Sequence, residues 1–180
     1  FNIGSNGVTI ENLRFDLTGV DALTGPIDVN ASGCTIRNCE FIQASATNQA
    51  VIAIVTDNAA DRFTLESCQF TGSDTAGSIS AVRVVGSDYV TIKDCYFDGA
   101  YKLSVGAIEV TTTAVGYMLV KDCVIINKTA ASTAAMNFLR QSTATIVGCT
   151  LSILSGTDPI RINEITTFSG GGRITTANNY

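Results

Sequence analysis

One eight-residue phrase recurs along the chain and limits what it can fold into. It reads VTIENLRF from Val8, CTIRNCEF from Cys34, FTLESCQF from Phe63, VTIKDCYF from Val90, MLVKDCVI from Met118 and ATIVGCTL from Ala144, with a worn copy, GRITTANN, from Gly172. Successive starts lie 26 to 29 residues apart. A period kept while the connecting segments absorb insertions is the mark of stacked repeats, each burying its apolar face against the next. Within the phrase the first, third, sixth and eighth positions are apolar, and a polar or small pair occupies the fourth and fifth. Alternation on each side of that pair predicts two short strands, with Asn12, Asn38, Ser67, Asp94, Asp122 and Gly148 suited to the bend between them.

A third strand per period is expected upstream of each later phrase, at Ile27-Asp28-Val29, Ile52-Ala53-Ile54, Val82-Arg83-Val84, Ile108-Glu109-Val110, Met136-Asn137-Phe138 and Ile160-Arg161-Ile162, each pointing in, out and in. Segments of Gly, Ser, Asn and Thr separate these strands from the phrases. No stretch has a sustained helical period with caps.

Three short strands per turn, a VTIxNCxF-like corner and a period in the high twenties resemble the right-handed parallel β-helix of the pectate-lyase-like superfamily, which includes pectin-degrading enzymes and the tailspikes and other virion proteins of phages. The resemblance covers Val8 to about Ala177. It implies an all-β solenoid of about six to seven rungs of about 27 residues, with three short strands per rung, and residues 1–180 as one β-helix domain. No helix precedes the first phrase to close the stack and the last copy is worn, so a segment of a longer polypeptide is expected.

In such a coil each phrase position becomes a column at the strand spacing of about 4.8 Å. The eighth position, Phe15, Phe41, Phe70, Phe97, Ile125 and Leu151, and the third, Ile10, Ile36, Leu65, Ile92, Val120 and Ile146 with Ile174 after them, are expected inside. So is the sixth, Leu13, Cys39, Cys68, Cys95, Cys123 and Cys149, with Cys34 at an inward first position. Parallel stacking holds neighbouring Cβ atoms about 4.8 Å apart, beyond the usual disulfide range of roughly 3.5–4.5 Å, so the six cysteines are read as a ladder of buried free thiols. They lack CxxC spacing, and the chain has no His, so no metal and no cofactor are implied.

The outward threonines Thr9, Thr35, Thr64, Thr91 and Thr145 resemble the ladder of ice-binding β-helices. The next outward column, Glu11, Arg37, Glu66 and Lys93, alternates in sign and is read instead as register-fixing pairs. Farther on, Tyr96, Val124 and Ile126 lie on neighbouring rungs as an exposed patch. By resemblance to trimeric virion β-helices it is a possible interface, with cover by the loop from Asn127 to Ala134 as the alternative.

By resemblance to the superfamily's enzymes, catalytic groups project from the third strand. Its outward column is expected to read Asp28, Ala53, Arg83, Glu109, Asn137 and Arg161. Glycosidase carboxylates stand about 5–9.5 Å apart, whereas Asp28 and Glu109 are three rungs, roughly 14 Å, from each other. Arg83 and Glu109, one rung apart, are set for a cross-strand ion pair. The Asp-Asp, Asn-Thr-Asp and His-containing motifs of the pectin hydrolases are absent. The nearest approach to the clustered calcium-binding aspartates of the lyases is Asp57 and Asp61 beside Arg62, short of the 6–8 oxygen ligands calcium takes. Asn30-Ala31-Ser32 and Asn127-Lys128-Thr129 match a glycosylation pattern but are read as chance.

A net charge of −5 argues against nucleic acid, and runs such as Val51 to Val55 are too short to span a membrane. The resemblance therefore implies a structural, non-catalytic module of a phage particle, a tailspike or fibre shaft or a capsid decoration. It is expected to assemble in a host cytoplasm, to be displayed on the virion surface, and to partner copies of itself as a trimer, other virion proteins or a polysaccharide. The alternatives are a polysaccharide lyase or glycoside hydrolase with part of its site elsewhere, and an extracellular bacterial adhesin.

Overall fold

Short strands with one apolar face cannot be stable alone, and stacking them in register joins those faces into one core. The computed structural model describes residues 1–19, 23–44, 50–74, 78–102, 105–111, 115–130, 134–138, 143–153, 160–162 and 174–177, with the backbone alone at 160–162, 174 and 175. Among the described residues the chain coils through three parallel sheets of seven, seven and six strands. The first holds Asn2–Ile3, Thr24–Val29, Ile52–Thr56, Ser80–Val84, Ile108–Val110, Met136–Phe138 and Ile160–Ile162. The two halves of the phrase build the others, the second from Thr9–Glu11 to Ile174–Ala177 and the third from Arg14–Asp16 to Thr150–Ile153.

The corner inside the phrase is a single residue in the left-handed region: Asn12, Asn38, Ser67, Asp94, Asp122 and Gly148 all have φ between 50° and 67°. Asn, Asp and Gly tolerate that conformation best. The backbone there turns onto the next sheet without an added loop, which keeps the phrase at constant length.

Ile36, Leu65, Ile92, Val120 and Ile146 are fully buried in one column, and Phe41, Phe70, Phe97 and Ile125 in another. Cys39, Cys68, Cys95, Cys123 and Cys149 form the third, and these and Cys34 are all buried and free. Each ladder Sγ lies 3.1–3.5 Å from the carbonyl oxygen two residues before it. The same oxygen accepts the N–H of the previous rung's corner residue, as Arg37 does from Asn12 at 3.2 Å. A cysteine thus fills the corner with a small apolar body and supplies a second, weak donor to its carbonyl. Burial pushes the Cys39 thiol above its ordinary pKa, as expected where the thiolate would be desolvated. Thiol titration of denatured protein without reductant is expected to count all six cysteines as free; a shortfall of one pair or more would show that the ladder oxidises.

Three sequence expectations need correction. Asp28 pairs with Val55, not Ala53, because Ile27 stands opposite Ile54 and Val29 opposite the buried Thr56. Ile174 pairs with Ala144, which puts Thr176 rather than Ile174 opposite Ile146. Both are slips of two residues, which leave the in–out alternation unchanged and so are invisible to it. Leu13, expected inside, is 49% exposed, since its strands stand at the edge of both phrase sheets and only the Cys39 rung covers it.

A further column, Gln43, Gly72, Gly99 and Asn127, holds the loops leaving the third sheet. Buried Gln43 donates from Nε2 to Ala50 O and buried Asn127 from Nδ2 to Ala134 O, each at 2.7 Å and seven residues ahead. Between them the backbones of Gly72 and Gly99 approach so closely that a Cβ on Gly99 would stand 2.7 Å from Gly72 Cα. Asn127 is therefore a structural amide with no surface for a glycan.

Candidate functional site

The outward column of the first sheet runs in register through Asn2, Asp28, Val55, Arg83, Glu109, Asn137 and Arg161. Alternation turns these side chains away from the core columns of Ile27, Ile54, Val82 and Ile108. Arg83 Nε lies 2.7 Å from Glu109 Oε2, and the side chains are only 24% and 6% exposed. Glu109 has Asn137, itself buried, on its other flank. Asp28 is three rungs away and accepts a hydrogen bond from Asn30 Nδ2 at 2.8 Å. The column thus brings Arg83, Glu109 and Asn137 together and leaves Asp28 apart; the side chain of Arg161 lies outside the described residues. A carboxylate paired by a guanidinium and shielded from water is a clamp between rungs, and no second carboxylate of this column stands within the reach that a glycosidase pair needs.

A family model described as a right handed beta helix region matches residues 27–163. The chain belongs to that right-handed β-helix family. No curated protein and no solved structure matches it. Membership agrees with the three parallel sheets and with the repeat, and as a fold it leaves the chemistry to individual sites.

In this β-helix the acidic loop before the third phrase is committed to backbone. Asp57 Oδ1 accepts the N–H of Ala59 at 2.7 Å, and Asp61 Oδ1 that of Asp88 at 2.8 Å. Asp88 repeats the device one rung on, accepting from Gly116 N at 2.6 Å. Among the described residues no three Cys, Asp or Glu side chains gather as a metal-holding group.

On the third sheet Tyr96 pairs with Val124 and Asp98 with Ile126. Tyr96 is exposed, and Val124 and Ile126 are half-buried. The expected patch is thus contiguous. The loop after Asn127 meets its edge, where Lys128 Nζ lies 2.8 Å from Asp98 and 2.7 Å from Asp74. Hydrogen bonds to Asp74 and Asp98 raise the Lys128 pKa. Beneath this cluster Tyr101 is fully buried with its hydroxyl unpartnered, and burial, then the Asp98 charge, pushes its pKa well up.

Sequence reading missed one surface feature. The residue immediately before each phrase also forms a column, and its members Arg62, Tyr89, Tyr117 and Thr143 follow from the strand register. Tyr89 and Tyr117 stack with centroids 5.1 Å apart and planes 18° from parallel, and the Arg62 guanidinium carbon lies 5.9 Å from the Tyr89 centroid. The two residues are 55% and 56% exposed. Beside them runs a groove of about 310 Å³, with Thr91, Leu119 and Thr145 along its other wall. The signal was the tyrosine pair at the repeat distance, just outside the alternating segment.

Proposed function

We propose that this β-helix is a structural, non-catalytic module of a phage particle, the shaft of a tailspike or fibre or a capsid-surface decoration, that presents a rigid surface to host glycans. The observation that carries the non-catalytic part is the Arg83–Glu109 clamp: the one carboxylate at the centre of the outward column is held at 2.7 Å by its neighbour and is almost wholly covered. Rigidity is supported by continuous columns of stacked Phe, Ile and Cys. The buried free thiols suit assembly in a reducing cytoplasm before display on the virion surface. The Tyr96, Val124 and Ile126 patch is the face this reading gives to a trimer partner or another virion protein.

The test is turnover. The full chain is incubated with polygalacturonate and a panel of bacterial capsular polysaccharides, and reducing ends and unsaturated products are followed. No product above the uncatalysed rate is the expected result. Cleavage of any of them that disappears in Glu109→Gln would overturn the reading in favour of a lyase or hydrolase.

A further inference from the structure

The groove beside Tyr89 and Tyr117 lies on the second sheet, away from the Arg83–Glu109 column. Its volume, about 310 Å³, sits at the small end of the roughly 300–1,000 Å³ of ligand pockets. Every described residue lining it is uncharged, on a chain with a net charge of −5.

Its walls are two short ladders in register. One is Tyr89, Tyr117 and Thr143; the other is Thr91, Leu119 and Thr145. One face of Tyr89 meets Arg62 and the other meets Tyr117. On the far side of Tyr117 the column continues with Thr143, a small side chain that lines the groove together with the ring. Aromatic faces carry negative charge density and attract slightly positive C–H edges and faces. Threonine hydroxyls donate and accept on the facing side.

We infer that this groove binds a neutral glycan, with one pyranose ring stacked through its C–H face on Tyr117 over Thr143 and its hydroxyls turned to Thr143 and Thr145. Two features single out this occupant. An exposed aromatic face beside threonine hydroxyls matches a ring with an apolar face and a polar rim. The described lining offers no cation to pair with the carboxylates of a polyanion such as polygalacturonate. The inference rests on the proposed glycan-contacting role and names the site and class of sugar for it.

The full chain is titrated with cellohexaose, xylohexaose and maltohexaose as uncharged probes and with hexagalacturonate as the charged one. Binding is read by calorimetry and by tyrosine emission, which no tryptophan masks. At least one uncharged probe should bind saturably. Affinity should fall at least tenfold in Tyr117→Ala, which removes the platform, and in Thr143→Phe, whose ring would fill the slot and continue the stack. Gln69→Ala, an exposed side chain on the third sheet, should bind as the wild type does, and thermal melts should show all three variants folded. The inference is overturned if no uncharged probe binds, if hexagalacturonate binds best, or if neither groove variant weakens binding. It is also overturned if sedimentation shows a dimer that Tyr117→Ala dissociates, since a second copy would then occupy the groove. Binding without cleavage leaves both readings standing, cleavage defeats only the non-catalytic one, and absence of binding defeats only this one.

Discussion

Phe70→Ala is expected to cost about 4–5 kcal/mol of stability, the upper part of the range for deleting a buried phenylalanine. Phe70 is fully buried between two rings, with centroids 4.6 Å from Phe41 and 4.7 Å from Phe97. The cavity cannot be closed by sliding the neighbours together, because hydrogen bonds on both flanks fix the strands at about 4.8 Å. The loss therefore combines transfer, cavity and the aromatic contacts on both faces. Phe15, at the edge strand, is only half-buried and has one ring neighbour, Phe41 at 5.0 Å, so Phe15→Ala should cost under half as much. Urea denaturation followed by circular dichroism measures both. A solenoid can lose rungs separately, so the slope of the transition must be compared along with the midpoint. Equal costs at the two positions would refute the claim that stacking from both sides sets the energetics.

Much of this architecture was legible in the sequence. Phenylalanine, isoleucine and cysteine columns were legible because a strand alternates with period 2 and the phrase never changes length. The corner was legible because Asn12, Asn38, Asp94 and Asp122 are residue types that accept positive φ. Parity was legible too, but register was not: IAIVT offers Ile52 and Ile54 as the inward pair as readily as Ile54 and Thr56. The structure chooses the second, and Thr56 is satisfied inside by the N–H of Val85 at 3.3 Å and the Ser87 hydroxyl at 2.8 Å. Such a pairing depends on atoms of the next rung, which no local pattern contains. Tyr89 and Tyr117 were missed for a related reason. They stand in turn segments without alternation, and they become a surface only when coiling brings residues one period apart within 5.1 Å.

The clamp on the first sheet leads to the second large effect, one that depends on which partner is removed. Arg83→Met leaves the Glu109 carboxylate, 6% exposed, without its counter-charge, whereas Glu109→Leu leaves a guanidinium that is 24% exposed and can be partly rehydrated. Breaking a buried pair from one side costs about 3–5 kcal/mol, so Arg83→Met should fall near the top of that range and Glu109→Leu near or below its bottom. The double variant should recover most of the loss, because two apolar side chains on adjacent strands need no desolvation of charge. Arg37 and Glu11 provide the contrast: they meet at 2.6 Å but are 47% and 43% exposed, and breaking that pair should cost under about 1 kcal/mol and less still in high salt. Denaturant midpoints of the four single and two double variants close both cycles. A strong coupling at Arg83–Glu109 with little salt dependence would support a structural clamp whose energy goes into holding two rungs in register. Additive losses there would mean that each side chain is satisfied independently of the other, and the carboxylate would again be available for chemistry.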